Sequence, residues 1–232
     1  MTLIQEIQTA LNAQGFDSGK ADGIIGRKTI SAIKAFQIQH PGLVVDGIPG
    51  ERTLTVLFKN RQAETMKDKL LVMPWLDLAI TKKGLNENKD NSELRKWLRS
   101  DGGSIGDPAQ IPWCGDFVET CIGLTLANEI LPGNPYLARN WAKFGQKVEP
   151  TLGAIGVFWR GTPSGINGHV AFIVGKGNGV WYILGGNQSN SISVTTIATT
   201  RTLATRWPLT VPLPNVIQLP TMKGGKLSIN EV

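Results

Sequence analysis

The chain has 232 residues, 41% of them hydrophobic and 18% charged, with a formal net charge of +6. That length and apolar content suit one moderate globular domain plus a small one, and they exclude a disordered or fibrous chain. No apolar run approaches the roughly 20 residues of a membrane span, and the opening MTLIQEIQTALNAQGF carries an acidic residue with no cationic start before an apolar core. Neither stable membrane insertion nor a secretory signal is therefore expected. The positive charge draws the protein to anionic surfaces, but the basic residues are scattered and not interleaved with aromatics, which argues against nucleic acid as a partner.

The first sixty residues contain an internal repeat. Asp22-Gly23-Ile24-Ile25-Gly26 with Thr29 recurs as Asp46-Gly47-Ile48-Pro49-Gly50 with Thr53. Each Asp-Gly pair reads as a tight turn, because Gly tolerates positive φ and Asp can bond the following backbone. Ile4, Ile7 and Leu11, then Ile30, Ile33 and Phe36, then Leu54 and Leu57 fall at helical spacing around the turns. A small three-helix module over 1–60 is predicted. The pattern resembles the peptidoglycan-binding domain at the ends of many wall hydrolases. That resemblance implies wall recognition by the module, with Asp22, Gly23, Asp46 and Gly47 as its candidate contacts, although the same turns have a purely structural reading.

Residues 61–73 read as a linker into a second domain that begins at Pro74. The stretch after Pro208, with Pro212, Pro214 and Pro220 and then Gly224-Gly225, argues against regular structure, so 209–232 is read as an extended tail that wraps or frays.

Within the second domain, Pro108 and Pro112 break the chain, and Cys114, Phe117, Val118, Cys121 and Thr125 then recur at helical spacing. Cys114 thus opens a buried helix. At a helix amino terminus the unpaired N–H groups and the positive end of the dipole favour a thiolate and can receive an oxyanion. Cys121 lies about 10 Å further along the axis, beyond disulfide reach, so both thiols are expected to be free. Besides the two cysteines the chain has only His40 and His169, in no metal-ligand spacing, so neither metal nor cofactor is expected.

Gly156 to Trp159, His169 to Val174 and Val180 to Leu184 read as strands of an antiparallel meander that packs on the cysteine helix, with the Gly-rich GKGNG of 175–179 as a turn. Reflection about 177–178 sets His169 opposite 185–187 and brings Asn187 beside the imidazole. A helix-borne thiol followed by His and Asn is the papain-like order, in which the base activates the thiol and the third group orients the base.

These residues resemble a phage-associated branch of the NlpC and CHAP cysteine hydrolases over about 74–208. The resemblance rests on Pro74-Trp75-Leu76, Pro112-Trp113-Cys114, Ala138-Arg139-Asn140-Trp141, Phe158-Trp159-Arg160-Gly161, Gly168-His169-Val170 and Leu184-Gly185-Gly186-Asn187-Gln188. It implies that Cys114 is the nucleophile, His169 the base and Asn187 the orienting residue, with Gln188 competing for that role. Trp113, Asp116 and Gln188 are candidate substrate contacts, Trp113 being equally a packing residue and Asp116 first of all a dipole compensator.

The fold class expected is α+β, a small three-helix bundle followed by a papain-like domain. The function expected is that of an endolysin cleaving an amide of the wall peptide, as endopeptidase or N-acetylmuramoyl-L-alanine amidase. Peptidoglycan is the expected partner and a monomer the expected state. The expected route is synthesis in the host cytoplasm and release through a holin-type pore. A non-catalytic phage structural or adhesion protein and a cytosolic thiol protease are the alternatives.

Overall fold

The computed structural model describes residues 3–23, 26–58, 73–213 and 219–222. The linker expected over 61–73 lies outside them except for Met73, as do Ile24, Ile25 and the tail over 214–218 and beyond 222. The chain divides into two compact units, Met1–Leu78 and Ala79–Val232.

In the first unit, helices α1 (Leu3–Ala13), α2 (Arg27–Gln39) and α3 (Glu51–Leu57) share one core of Ile7, Leu11, Phe16, Ala32, Ile33, Phe36, Leu54 and Leu57. The i, i+3, i+4 spacing of the apolar residues makes this possible, because it stacks them on one stripe of each helix. Phe16 and Phe36 meet edge to face with ring centroids 5.4 Å apart, and full burial of a side chain of that size contributes about 1.5–3 kcal/mol. Helix α4 (Pro74–Thr81) begins with proline at its first position, where the missing N–H costs no hydrogen bond.

The second unit is mixed helix and antiparallel sheet. Helices α5 (Asn91–Leu98) and α6 (Cys114–Thr125) and a 3-10 turn at Ala138–Lys143 precede or accompany the strands β1 (Gln146–Lys147), β2 (Ile155–Trp159), β3 (Gly168–Gly177), β4 (Val180–Gln188), β5 (Ser191–Ala198) and β6 (Thr202–Trp207). Among the described residues the strands form one sheet in the order β1-β6-β2-β3-β4-β5, every neighbouring pair antiparallel.

The expected meander is its β2-β3-β4 segment. The β3-β4 ladder pairs Phe172 with Leu184 and Gly177 with Val180, and a bulge between Ile173 and Gly175 shifts its register. Helix α6 packs across β3 and β4. Phe117 is central to that contact, its ring 5.8 Å from Phe172 and 5.9 Å from Trp97.

The tail is partly ordered. Trp207 Nε1 donates to the Val211 carbonyl at 3.0 Å. Further on, Lys176 donates to the Pro220 carbonyl and Met222 to that of Lys176, each at 2.8 Å, and this sets Thr221 in a parallel bridge alongside β3.

Candidate functional site

Helix α6 starts where the sequence places it. Trp113 is the N-cap, with φ −122° and no side-chain capping bond, and Cys114 is the first helical residue. Gly115 permits that start to sit close against the preceding loops. A Cβ there would lie 2.5 Å from the Tyr136 carbonyl oxygen and 2.6 Å from that of Pro135, closer than any side chain tolerates. Cys114 is buried, with 6% of its surface exposed.

His169 stands on β3 directly across from Phe158 and is wholly buried. Its Nε2 lies 3.0 Å from Oε1 of Gln188. The Gln188 amide is oriented by its own NH2, which donates to the carbonyl and, at 3.3 Å, to the hydroxyl of Ser193. Oε1 is therefore an acceptor, and Nε2 carries the proton it accepts. That tautomer leaves Nδ1 as the basic nitrogen, and the imidazole lies near enough to the Cys114 thiol to lower its pKa.

Burial raises the thiol pKa. The hydrogen bond and charge of His169, the Val170 N–H and the charge of Arg160 together outweigh burial and leave the Cys114 thiol below its ordinary value. Cys121, seven residues on, has no such company. Burial, aided by Asp101, holds its thiol well above the ordinary value. Cys121→Ala is expected to cost on the order of 1 kcal/mol through lost packing and to leave catalysis nearly intact. Chemical denaturation and turnover assays of that variant check both halves of the expectation.

The structure places three further residues of the sequence reading. The first concerns Asn187, which was expected beside the imidazole. Gln188 makes the bond instead, because β4 bulges against β5 between Gly185 and Gln188 and Asn187 turns through the left-handed region at φ 55°. That extra step exchanges the faces of the two amides. The second concerns Trp113, which is fully enclosed and no substrate wall. Its Nε1 donates to Glu87 Oε2 at 2.7 Å, and its ring packs so closely on Gly186 that a Cβ there would lie 2.5 Å away.

The third concerns Asp116, which is also fully buried, in the first turn of α6. Burial pushes its carboxyl up to about 6, with Asp101 adding, against a 3.1 Å bond from the Ile105 N–H. On the same side of α6, burial, followed by the hydrogen bond and charge of Asp101, pushes Glu119 up to about 9. Carboxyls raised in this way favour the fold while protonated and weaken it as pH rises through their folded values. The thermal midpoint of the second unit is accordingly expected to fall as pH rises from about 4, the Asp116 part complete by about pH 6 and the Glu119 part by about pH 9, and Glu119→Gln to flatten that fall in calorimetric scans.

The motif residue Arg139 fixes the β2-β3 loop. Its guanidinium and Nε donate to the carbonyls of Asn167, Pro163 and Thr162 at 2.8, 3.0 and 3.1 Å. Asn140 ties the chain at Gly133 and Asn134. Both were quoted for the resemblance without a role. The signal available for Arg139 was a motif cation followed by a Gly- and Pro-rich loop rich in free carbonyls.

In the first unit the two Asp-Gly turns are built alike by a residue type that the sequence reading missed. Gln8 Oε1 accepts from the Gly23 N–H at 2.8 Å, and its Nε2 donates to Asp22 Oδ1 and Thr29 Oγ1 at 3.0 and 3.1 Å. Gln37 repeats this with Gly47, Asp46 and Thr53 at 2.8, 2.8 and 3.2 Å. Each turn is therefore tied to a buried amide, while Asp22 itself stays exposed. Neither surface hollow of this unit, one of about 420 Å³ beside Phe16 and Asp17 and one of about 530 Å³ beside Leu43 and Arg52, is lined by them. Gln37→Ala is expected to destabilise the unit by about 1–3 kcal/mol, since it leaves buried donors and acceptors unsatisfied. Urea unfolding of the variant measures this.

Comparison with known proteins bears on this unit. Residues 2–57 match the family described as putative peptidoglycan binding domain. Two spore cortex-lytic enzymes of Bacillus cereus are each 37% identical to this chain over 87 residues, a stretch that is 38% of this chain and 28% of each relative. The chain thus spans just over a quarter of the length of the curated relatives it matches. No solved structure matches it.

Proposed function

We propose that this chain is a cysteine-dependent peptidoglycan hydrolase of the endolysin type, with a papain-like catalytic unit and a wall-binding amino-terminal module. The observation that carries the reading is the thiol at the start of α6, its pKa lowered by a buried imidazole that the Gln188 amide holds at Nε2. The match of residues 2–57 to a peptidoglycan-binding family and the likeness to cortex-lytic enzymes supply the substrate class.

In this mechanism His169 Nδ1 takes the thiol proton and the Cys114 sulfur attacks the amide carbonyl. The oxyanion forms against the N–H groups at the start of α6, the one place on the helix where such donors lack a carbonyl partner. Collapse breaks the C–N bond as the imidazolium returns its proton to the departing amine, leaving a thioester. A water deprotonated by the same imidazole then attacks the thioester carbonyl, releasing the carboxylic acid and restoring the thiol. Gln188 keeps the ring in the tautomer that each step requires.

Incubation with purified sacculi, followed by mass spectrometry of the soluble products, tests this proposal. New amine and carboxyl termini in the peptide are expected. Binding without release of any fragment would instead favour a wall-adhesion protein, and cleavage confined to ordinary proteins would favour a thiol protease. Removing residues 1–60 is expected to slow digestion of whole walls more than that of soluble muropeptides, because the module raises local concentration on an insoluble polymer. Equal losses on both would remove the targeting role.

A further inference from the structure

Cys114 stands on a helix while His169 and Gln188 stand on the sheet, so the reaction depends on how those two elements are held against each other. Helix α6 meets β3 and β4 through apolar side chains such as Phe117 and Phe172, and apolar contact is strong but non-directional. Nor does the helix fix its own start, since Trp113 at the N-cap makes no side-chain capping bond. Something directional has to tie the first turn of α6 to the strand that carries Gln188.

The segment 84–87, between α4 and α5, does so. It lies along the beginning of β5, where the Gly84 N–H donates to the Ile192 carbonyl at 2.8 Å and the Ile192 N–H to that of Leu85 at 2.9 Å. Asn86 forms an antiparallel bridge with Ser191, and its Nδ2 donates to the Ser191 hydroxyl at 2.9 Å. The Glu87 N–H then donates to the Asn190 carbonyl at 2.8 Å. Asn190 belongs to the tight turn that follows Gln188, in which Ser189 and Asn190 both take positive φ. The backbone of Glu87 is thus fastened to the turn that begins at the orienting amide.

The side chain of Glu87 reaches the neighbour of the nucleophile. Glu87 is buried, and its Oε2 accepts the Trp113 indole N–H at 2.7 Å. The same indole packs on Gly186, on β4 just ahead of Gln188, so closely that no side chain fits there. Glu87 is braced from the α5 side as well, because Asn91 Nδ2 donates to its carbonyl at 2.9 Å and the Asn86 N–H donates to Asp90 at 3.0 Å. One residue therefore joins the position before the sulfur to the turn after Gln188, and both of its bonds are directional. A buried carboxyl is a costly way to fill space. What it supplies, and an apolar side chain does not, is direction.

Building on the hydrolase reading above, we propose that Glu87 is a positioning residue for the reaction, holding Trp113 and Cys114 at the start of α6 in register with the β4-β5 turn and so setting how the sulfur meets the imidazole that Gln188 orients. It acts through Trp113 and touches neither substrate nor the reacting atoms.

The test measures steady-state turnover of a soluble muropeptide alongside the rate at which iodoacetamide alkylates Cys114 as a function of pH. Glu87→Ala is expected to lower kcat by roughly 10- to 100-fold with little change in KM, the scale of loss that a displacement of about 1 Å produces. It should also move the pH midpoint of alkylation toward that of an ordinary thiol. Glu87→Gln keeps an acceptor oxygen for the indole and should recover most of both readouts. Trp113→Phe removes the donor and should reproduce the Glu87→Ala losses, and the double variant should be no worse than either single one, since each breaks the same tether. Thermal scans establish that each variant is folded at the assay temperature. Should Glu87→Ala not be, Glu87→Leu keeps the volume, lacks the acceptor and takes its place.

A merely structural Glu87 would lower the thermal midpoint and leave both kcat per folded molecule and the alkylation midpoint unmoved, and that result overturns the proposal. So does a Glu87→Gln variant as impaired as Glu87→Ala, or a double variant whose losses add. If the wild-type protein cuts no muropeptide, the hydrolase reading falls and the alkylation profile decides on Glu87 by itself. A midpoint shifted in Glu87→Ala and restored in Glu87→Gln upholds the tether, and an unshifted one removes it.

Discussion

Cys114→Ala is expected to reduce wall hydrolysis to background, while the circular dichroism spectrum, the thermal midpoint of the second unit and the binding to sacculi stay close to those of the parent. The loss is large because a nucleophile is not one contribution among several. Without the sulfur no thioester forms, and what remains is the small acceleration from positioning and oxyanion donors, a drop on the order of 10⁶ in comparable hydroxyl-based sites. Structure should survive, because the residue is small, sits at a helix start and caps nothing. Alkylation offers a second readout. Iodoacetamide at neutral pH should label Cys114 before Cys121, since the two thiols are displaced from the ordinary value in opposite directions. Undiminished lysis by the Ala variant would remove the proposed mechanism altogether.

The second large effect separates the two neighbouring amides. Gln188→Ala should lower kcat by about 10²- to 10⁴-fold, toward the cost of freeing the imidazole to take the wrong tautomer, with His169→Ala worse still. Asn187→Ala should be much milder on kcat, because Asn187 does not hold the ring, and its effect should fall on stability through the backbone turn at φ 55°. A pH–rate profile distinguishes orientation from packing. Loss of Gln188 should alter the apparent pKa values of the thiol–imidazole pair, whereas a packing defect would lower the plateau alone. An Asn187→Ala variant that proved the more damaging in kcat would restore the assignment made from sequence.

The contrast between those residues marks how far sequence reasoning reaches. The start of α6 at or just before Cys114 was legible because Pro112 cannot lie inside a helix and the apolar spacing begins at Cys114. The β2-β3-β4 meander was legible from its apolar runs and its Gly-rich turn. Strands β5 and β6 were not. Their Ser- and Thr-rich stretches, SISVTTIA and TLATRW, look like polar connection until the core beneath takes up Ile192, Ile197 and Trp207. Gln188 was misjudged for a different reason, since hairpin reflection assumes an unbroken ladder and a single bulge reverses which side chain faces the imidazole. Gln8 and Gln37 escaped the repeat because they precede their aspartates by different distances, 14 and 9 residues.

The placement of the two thiols along α6 also bears on oxidation. A thiol poised as thiolate is the form that peroxide attacks, and the sulfenic acid so produced is rescued most readily by a nearby cysteine that closes a disulfide. The only other cysteine in the sequence is Cys121, about 10 Å away along the helix axis and so out of reach. Oxidised Cys114 therefore has no partner within its own chain. An external thiol must reduce it before a second oxidation makes the damage permanent, and with Cys114 only 6% exposed that thiol has to be small.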